Sequence, residues 1–285
     1  MTLPNSSPLI ADALTALQAT GLPRLDAQLL LLHALGQDPH NRAWLMAHDT
    51  DEVSQVLFQT AMTHAQRRLQ GEPMAYITGH KEFFGLNLQV DARVLDPRPD
   101  TENLVDWALE VLTPVTGEAP HVLDLGTGSG AIALALKATL PALMVYATDF
   151  SRDALEVAQM NAQRLGLRVN FSQGAWFNAL PPDTPQFHAI VSNPPYIAAN
   201  DAHLAALTHE PLQALASGVE GLDDLRHLIS HAPDHLLPGG WLLLEHGHDQ
   251  ARAVRSLLQD AGLVQVQSRQ DLAGIERCSG GQRPR

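Results

Sequence analysis

The stretch "VLDLGTGSGAIALAL", residues 122–136, decides the fold. A short apolar run is followed by three alternating glycines, Gly126, Gly128 and Gly130, and then by an Ala/Leu-rich segment of helical composition. Glycine reaches backbone conformations closed to other residues, so the stretch reads as a strand turning sharply into a helix. Backbone N–H groups opening that helix can meet a ligand. The spacing is G-x-G-x-G, not the G-x-G-x-x-G of a dinucleotide fingerprint. On these residues alone, a ligand loop and a bare strand-to-helix turn both fit.

On the C-terminal side, strand and helix alternate. "MVYATD" (144–149) reads as a strand, "SRDALEVAQMNAQRLG" (151–166) as a capped helix, and "RVNFSQG" and "FHAIVSNPPY" as further strands. "WLLLEHG", the helical "DQARAVRSLLQDAG", "VQVQSRQ" and "IERCSG" follow. Such alternation predicts a parallel, doubly wound α/β sheet whose ligands sit at the carboxyl ends of the strands. Asp149 ends the second strand, 23 positions after Gly126. A carboxylate there accepts from both hydroxyls of a ribose and disfavours a 2′-phosphate. Its rival role, capping the next helix, can be filled by Ser151.

"IVSNPPYIAA" (190–199) stops a strand with two prolines. Neither can donate to a ladder, and the residue before a proline is held extended. Asn193 and Tyr196 are thereby held rigidly at the strand's end. Tyr196 is placed to lie against a flat substrate.

On the N-terminal side, "DPRPDTENLVDWALEVL" (96–112) has a proline-rich opening, Asp100 as cap and an amphipathic helix. "AYITGHKEFFGLNLQVD" (75–91) reads as a hairpin around Gly79 and Gly85. The first 72 residues read as helices: one capped by Ser7 with Pro8 in its first turn, one over "RLDAQLLLLHALG", and one over 51–71 with acidic residues first and Arg67 and Arg68 last. The expected domains are a helical one over 1–72, a β-hairpin linker over 73–96 and the α/β domain over 97–285.

The 285 residues are 45% hydrophobic, a globular composition. A net charge of −13 argues against a surface built to hold nucleic-acid backbone. The only cysteine is Cys278, which excludes an internal disulfide and fits a reducing cytoplasm. Neither a signal peptide nor a membrane-spanning run is expected.

With NPPY standing 44 residues beyond Asp149, the motifs resemble class I S-adenosylmethionine-dependent methyltransferases that act on planar nitrogen. The likeness extends through "GEPMAYITGHKEFFGLNLQVDARVLDPRPDTENLVDWAL", "GAWFNAL", "GLDDLRHLI" and "LLLEHG", in the order found in the HemK/PrmC family. That resemblance implies a Rossmann-like fold with a mostly parallel seven-stranded sheet and a small N-terminal helical bundle joined by a β-hairpin. It implies N5-methylation of the glutamine in the GGQ motif of peptide chain release factors, with S-adenosyl-L-methionine as cofactor, in the cytoplasm, with neither membrane nor stable nucleic-acid partner. By the same resemblance Gly126, Thr127, Gly128, Ser129 and Gly130 line the methionine part, Asp149 holds the ribose and Trp176 flanks the adenine. Asn193, Pro194, Pro195 and Tyr196 receive the glutamine, with Asn193, Pro194 and Tyr196 catalytic. The alternatives are glutamine methylation of a large-subunit ribosomal protein, and adenine N6 methylation of DNA or guanine N2 methylation of RNA.

The tail "ERCSGGQRPR" departs from the family's usual R-V-x-x-G-R ending, and it spells GGQ at Gly280–Gly281–Gln282. A self-substrate role for Gln282 competes there with chance. His227, His231 and His235 recur four apart, but Pro233 is expected to break their helix and no metal site is expected. Arg98 is expected either to shape the pocket or to close an ion pair. Glu245, His246 and His248 stand at a strand end, where a base would be well placed.

Overall fold

The computed structural model describes residues 7–113, 115 and 119–285, and the chain divides into two compact units that meet at Gly79 and His80. The first unit is helical: α1 (Ile10–Ala19), α2 (Arg24–Ala34), α3 (Ala43–Ala47), α4 (Gln55–Leu69) and α5 (Met74–Thr78). Its core gathers Leu17, Leu30, Leu31, Leu32, Phe58, Ala61 and Ala65.

Three local expectations are corrected in this unit. Ser7 and Pro8 do not open α1, because the Pro8 carbonyl accepts from Val53 N–H and Leu9 forms a bridge with Glu52. The extended backbone this pairing requires delays the helix to Ile10. α4 is capped by Ser54, whose Oγ accepts from Leu57 N–H, so Asp51 and Glu52 precede the helix rather than charging its first turn. Within the span read as hairpin, residues 74–78 are the short helix α5.

The second unit opens with the antiparallel hairpin β1 (His80–Phe83) and β2 (Leu86–Gln89). Its two-residue turn has positive φ at both Phe84 and Gly85, the handedness that matches strand twist. A 3₁₀ turn over Pro99–Thr101 leads into α6 (Glu102–Leu112). Asp100 lies inside that turn and does not cap the helix.

The sheet is built from β3 (His121–Leu125), β4 (Met144–Asp149), β5 (Asn170–Gln173), β6 (Phe187–Ser192), β7 (Leu236–Glu245), β8 (Val264–Gln270) and β9 (Glu276–Gln282). Helices α7 (Ala131–Thr139), α8 (Arg152–Leu165), α9 (Asp223–His235) and α10 (Ala251–Asp260) complete the unit. The strand order is β5-β4-β3-β6-β7-β9-β8, with β9 antiparallel to both its neighbours and the first five strands parallel. This is the mostly parallel seven-stranded sheet that the motifs predict.

From Val122 to Leu125 strand β3 is buried on both faces, as a central parallel strand must be, with Asp124 its one charged residue. Its last residue, Leu125, is in register with Thr148 on one side and Ser192 on the other. Chain order departs in opposite directions from β3, so a crevice opens at its carboxyl end. Gly126, Asp149 and Asn193 are each the next residue on their strand, and therefore stand level at that crevice. Buried Asn161 of α8 braces the arrangement: its Oδ1 accepts from Gln89 N–H at 2.7 Å, and its Nδ2 donates to the carbonyls of Gln89 and Ser129. The end of the hairpin is thus fixed to the glycine loop. Among the described residues no helix is long and apolar enough to cross a membrane.

Candidate active site

The glycine loop is shaped by backbone. Gly126 and Thr127 both donate N–H to the Thr148 carbonyl, which needs the left-handed φ of +72° found at Gly126. A Cβ on Gly126 would stand 3.2 Å from the Trp176 ring, so glycine also admits that ring to the wall. Beneath the loop Asp124 is fully buried. Its Oδ2 accepts from Thr127 Oγ1 at 2.6 Å and from Ala133 N–H at 3.2 Å, while Oδ1 has no partner. Burial pushes its pKa up to about 7 against the pull of those two hydrogen bonds.

Asp149 Oδ2 accepts from Gly128 N–H and its Oδ1 from Ser151 N–H. Ser151 caps α8 with its own Oγ, so Asp149 is not spent as a cap. Burial raises the Asp149 pKa, and backbone hydrogen bonds from Gly128, Ser151 and Phe150 oppose the rise. Phe150 is 70% exposed beside it.

A cavity of about 300 Å³ runs along these groups, walled by Gly126–Ser129, Asp149, Trp176, Asn193 and Pro195, among others. That is the low end of small-molecule site sizes. Gly130 is not on the wall; it sits at the N-terminus of α7, against Leu134 and Ala158. Trp176 opens a 3₁₀ turn with φ of +50°, a backbone position rare outside glycine. It is half-buried rather than a core aromatic.

At the other end of the cavity, Asn193 Nδ2 donates to Thr101 Oγ1 at 3.1 Å, and its Oδ1 takes no hydrogen bond from a described residue. Pro194 is buried and, unlike Asn193 and Pro195, is not part of the cavity wall. Tyr196 does not line the cavity; its hydroxyl donates to Glu245 Oε1 at 3.3 Å, and its carbonyl accepts from Gln250 Nε2 at 3.0 Å. The following segment is fastened through Ile197 N–H to Leu215 O and Ser217 N–H to Ile197 O. Thr101, Asp124 and Gln250 carry no expectation from the sequence, since a lone Thr, Asp or Gln has no motif; only their contacts give them away.

Arg98 fills both of its expected roles: it lines the cavity and pairs at 2.5 Å with buried Glu210. Glu245 is 2% exposed and, like His246 and His248, does not line the cavity. His246 donates from Nδ1 to the Gly247 carbonyl and meets Ser279 Oγ through Nε2, so neither nitrogen is spare. Pro233 does not break α9, which runs to His235; a proline in the last turn removes one hydrogen bond only. His235 stacks on Phe177 at 4.4 Å, and no group able to hold a metal occurs among the described residues. The GGQ tripeptide lies within β9, where the Gln282 amide donates to Gly239 O and accepts from Gln265, so the side chain is engaged.

Residues 102–269 match the family model "Methyltransferase small domain", and residues 9–79 match "PrmC N-terminal domain". The release factor glutamine methyltransferase of Bordetella pertussis is 53% identical over 92% of this chain and 95% of its own length. That of Coxiella burnetii is 45% identical over 94% of each chain. A solved methyltransferase from Pyrococcus furiosus shares the fold, with a TM-score of 0.53 at 19% identity, over 78% of this chain and 99% of its own.

Proposed function

The chain belongs to the release factor glutamine methyltransferase family, and on that premise we propose that it transfers a methyl group from S-adenosyl-L-methionine to the N5 amide nitrogen of the GGQ glutamine of peptide chain release factors. The observation that carries this reading is the orientation of Asn193: its NH₂ is taken by Thr101, which leaves the carbonyl oxygen to accept at the cavity.

The cavity's residues fit the cofactor. The N–H groups of Gly126, Thr127 and Gly128 are taken by the Thr148 carbonyl and by Asp149, so the loop offers the cofactor a wall that backbone can approach closely; the carboxylate of Asp149 suits its diol, and Trp176 and Phe150 offer faces for its flat ring. Asp124 keeps the loop in shape by fastening Thr127 and the Ala133 N–H. When bound, the cofactor supplies an electrophilic methyl on a sulfonium.

The difficulty lies with the acceptor. An amide nitrogen is a weak nucleophile because its lone pair is shared with the carbonyl. Asn193 Oδ1 and the Pro194 carbonyl accept its two N–H bonds and so turn the lone pair toward the incoming carbon. Catalysis is mainly positioning, with the reacting atoms brought to about 3–3.5 Å. Glu245, His246 and His248 all lie off the cavity wall, and the released proton passes to water. Cys278, buried and unpaired, suits the reducing cytoplasm in which this substrate is used.

The test is incubation with labelled cofactor and purified release factor, large-subunit ribosomal protein and DNA. A mass gain of one methyl on the GGQ peptide of the release factor is expected. Label on the ribosomal protein or DNA alone overturns the assignment.

A further inference from the structure

The chain leaves the Asn-Pro-Pro-Tyr corner into a long strap, residues 198–216, that returns to the corner it left. Ile197 donates N–H to the Leu215 carbonyl at 2.9 Å, and its bridge with Ala216 is parallel, so the strap comes back alongside the corner rather than across it. Within the strap, the N–H groups of Leu204, Leu207 and Glu210 each reach a carbonyl three residues back, which shapes the segment without tying it to the sheet. The Glu210 side chain reaches further. Its Oε1 accepts from Arg98 Nη2 at 2.5 Å and its Oε2 from Asp96 N–H at 3.3 Å, and it is 3% exposed. Asp96 is in turn paired with Lys81 of β1 at 3.2 Å.

We infer that Glu210 is a positioning residue: through Arg98 it closes a ring of chain around the Asn193 end of the cavity and holds the strap there as a wall for the incoming side chain. This rests on the reading that Asn193 receives the glutamine NH₂. The ring has three arcs, residues 98–101, 193–197 and 210–215. Three contacts join them: Arg98 to Glu210, Ile197 N–H to Leu215 O, and Asn193 Nδ2 to Thr101 Oγ1 at 3.1 Å. Each arc supplies part of the cavity wall, the first through Arg98 and Thr101, the second through Asn193 and Pro195, the third through Pro211 and Ala214. The contact at Leu215 is backbone to backbone and sets no demand on side chains. The ring therefore stays closed only while Asn193 and Glu210 keep their partners.

A carboxylate this deeply buried must find donors, and here each oxygen has one. Another seat for the strap would leave the Glu210 charge unpaired and out of water, so the ion pair selects one arrangement of the strap. The two partners are not equivalent. The Arg98 side chain is 36% exposed, and water can take it over when Glu210 is removed. Loss of Glu210 thus opens the ring without stranding a charge, whereas loss of Arg98 alone strands one.

The experiment follows release-factor methylation, cofactor affinity by calorimetry, and thermolysin cleavage within residues 198–210, in wild type, Glu210→Ala, Glu210→Gln and Arg255→Met. Displacing a bound substrate by about 1 Å costs about 100-fold in rate. Glu210→Ala should lose that factor in kcat at saturating release factor, keep cofactor Kd within about threefold, and be cut in the strap about tenfold faster. Glu210→Gln keeps the size and one acceptor oxygen, and should fall between it and wild type. Arg255→Met breaks the Arg255–Glu276 pair, 2.7 Å long and outside the ring, and should change none of the three readouts. Should Glu210→Ala fail to fold, the double variant Arg98→Met/Glu210→Gln, which leaves neither charge of the pair, takes its place with the same expected losses. Unchanged kcat, unchanged cleavage, a loss of cofactor affinity as large as that of kcat, or an equal loss in Arg255→Met overturns the inference. Faster cleavage in Glu210→Ala of an enzyme whose wild type leaves release factor unmethylated overturns the functional reading and upholds the ring.

Discussion

At the glycine-loop end of the cavity, shape is carried by backbone; at the Asn193 end it is carried by side chains drawn from distant parts of the chain. Gly126 and Thr127 share one carbonyl of the neighbouring strand, and the loop's hydrogen bonds come from β3, β4 and the turns after them, apart from the one that Asn161 of α8 gives the Ser129 carbonyl. Asn193 depends on Thr101, 92 residues earlier, and Tyr196 on Glu245, 49 residues later. Each end also hides one carboxyl, Asp124 or Glu245, raised by burial to about 7 and left with an unpartnered oxygen. The first end should therefore tolerate altered side chains and resist altered geometry, and the second should do the reverse.

The sharpest way to break this contrast is Asn193→Ala. It should lower kcat about 1000-fold, or about 4 kcal/mol, while cofactor affinity by calorimetry stays within a few fold. Equal loss of both would place Asn193 in the cofactor site. Next in size is the effect of pH on stability. Carboxyls whose folded pKa is raised favour folding at acid pH, and that contribution is lost as pH rises from about 4 through about 7. Chemical denaturation between pH 4 and 8 should show stability falling by a few kcal/mol through these two groups. Asp124→Asn and Glu245→Gln should each flatten part of the slope.

Asn161→Ala, which removes the brace between hairpin and glycine loop, should cost about 2–3 kcal/mol in the same assay. Gly126→Ala should weaken cofactor binding about tenfold, because its methyl displaces Trp176. Gly128→Ala meets nothing within 4 Å and keeps only the strain of its φ of +56°. It should cost about 1 kcal/mol or less, with little change in cofactor affinity.

The same contrast governs what is legible in the sequence. The turn at Gly126, the sheet topology and the stiff Asn-Pro-Pro-Tyr corner are local consequences of residue type, and each is spelled by consecutive letters. Thr101 and Gln250 act only because folding brings them to that corner, and no spacing announces them; Glu245 is marked by its strand end, but as a base and not as the acceptor of the Tyr196 hydroxyl. The misreadings share one cause as well. By local rules Ser7 and Pro8 make a sound helix start, but Pro8, Leu9 and Ile10 pair instead with residues 51–53, which those rules do not see. Pro233 reads as a breaker, yet it removes one hydrogen bond and stands two residues from the end of α9, where little helix is left to interrupt.

The insertion of β9 between β7 and β8 sets an order of assembly that differs from the order of the chain. Strand β8 is made earlier but pairs only with β9, so its place in the sheet depends on the β7–β9 ladder. A break in the turn at 271–275 would leave β9 tied to the sheet by its two ladders alone, and loss of that fragment would free β8 and bare the edge of β7.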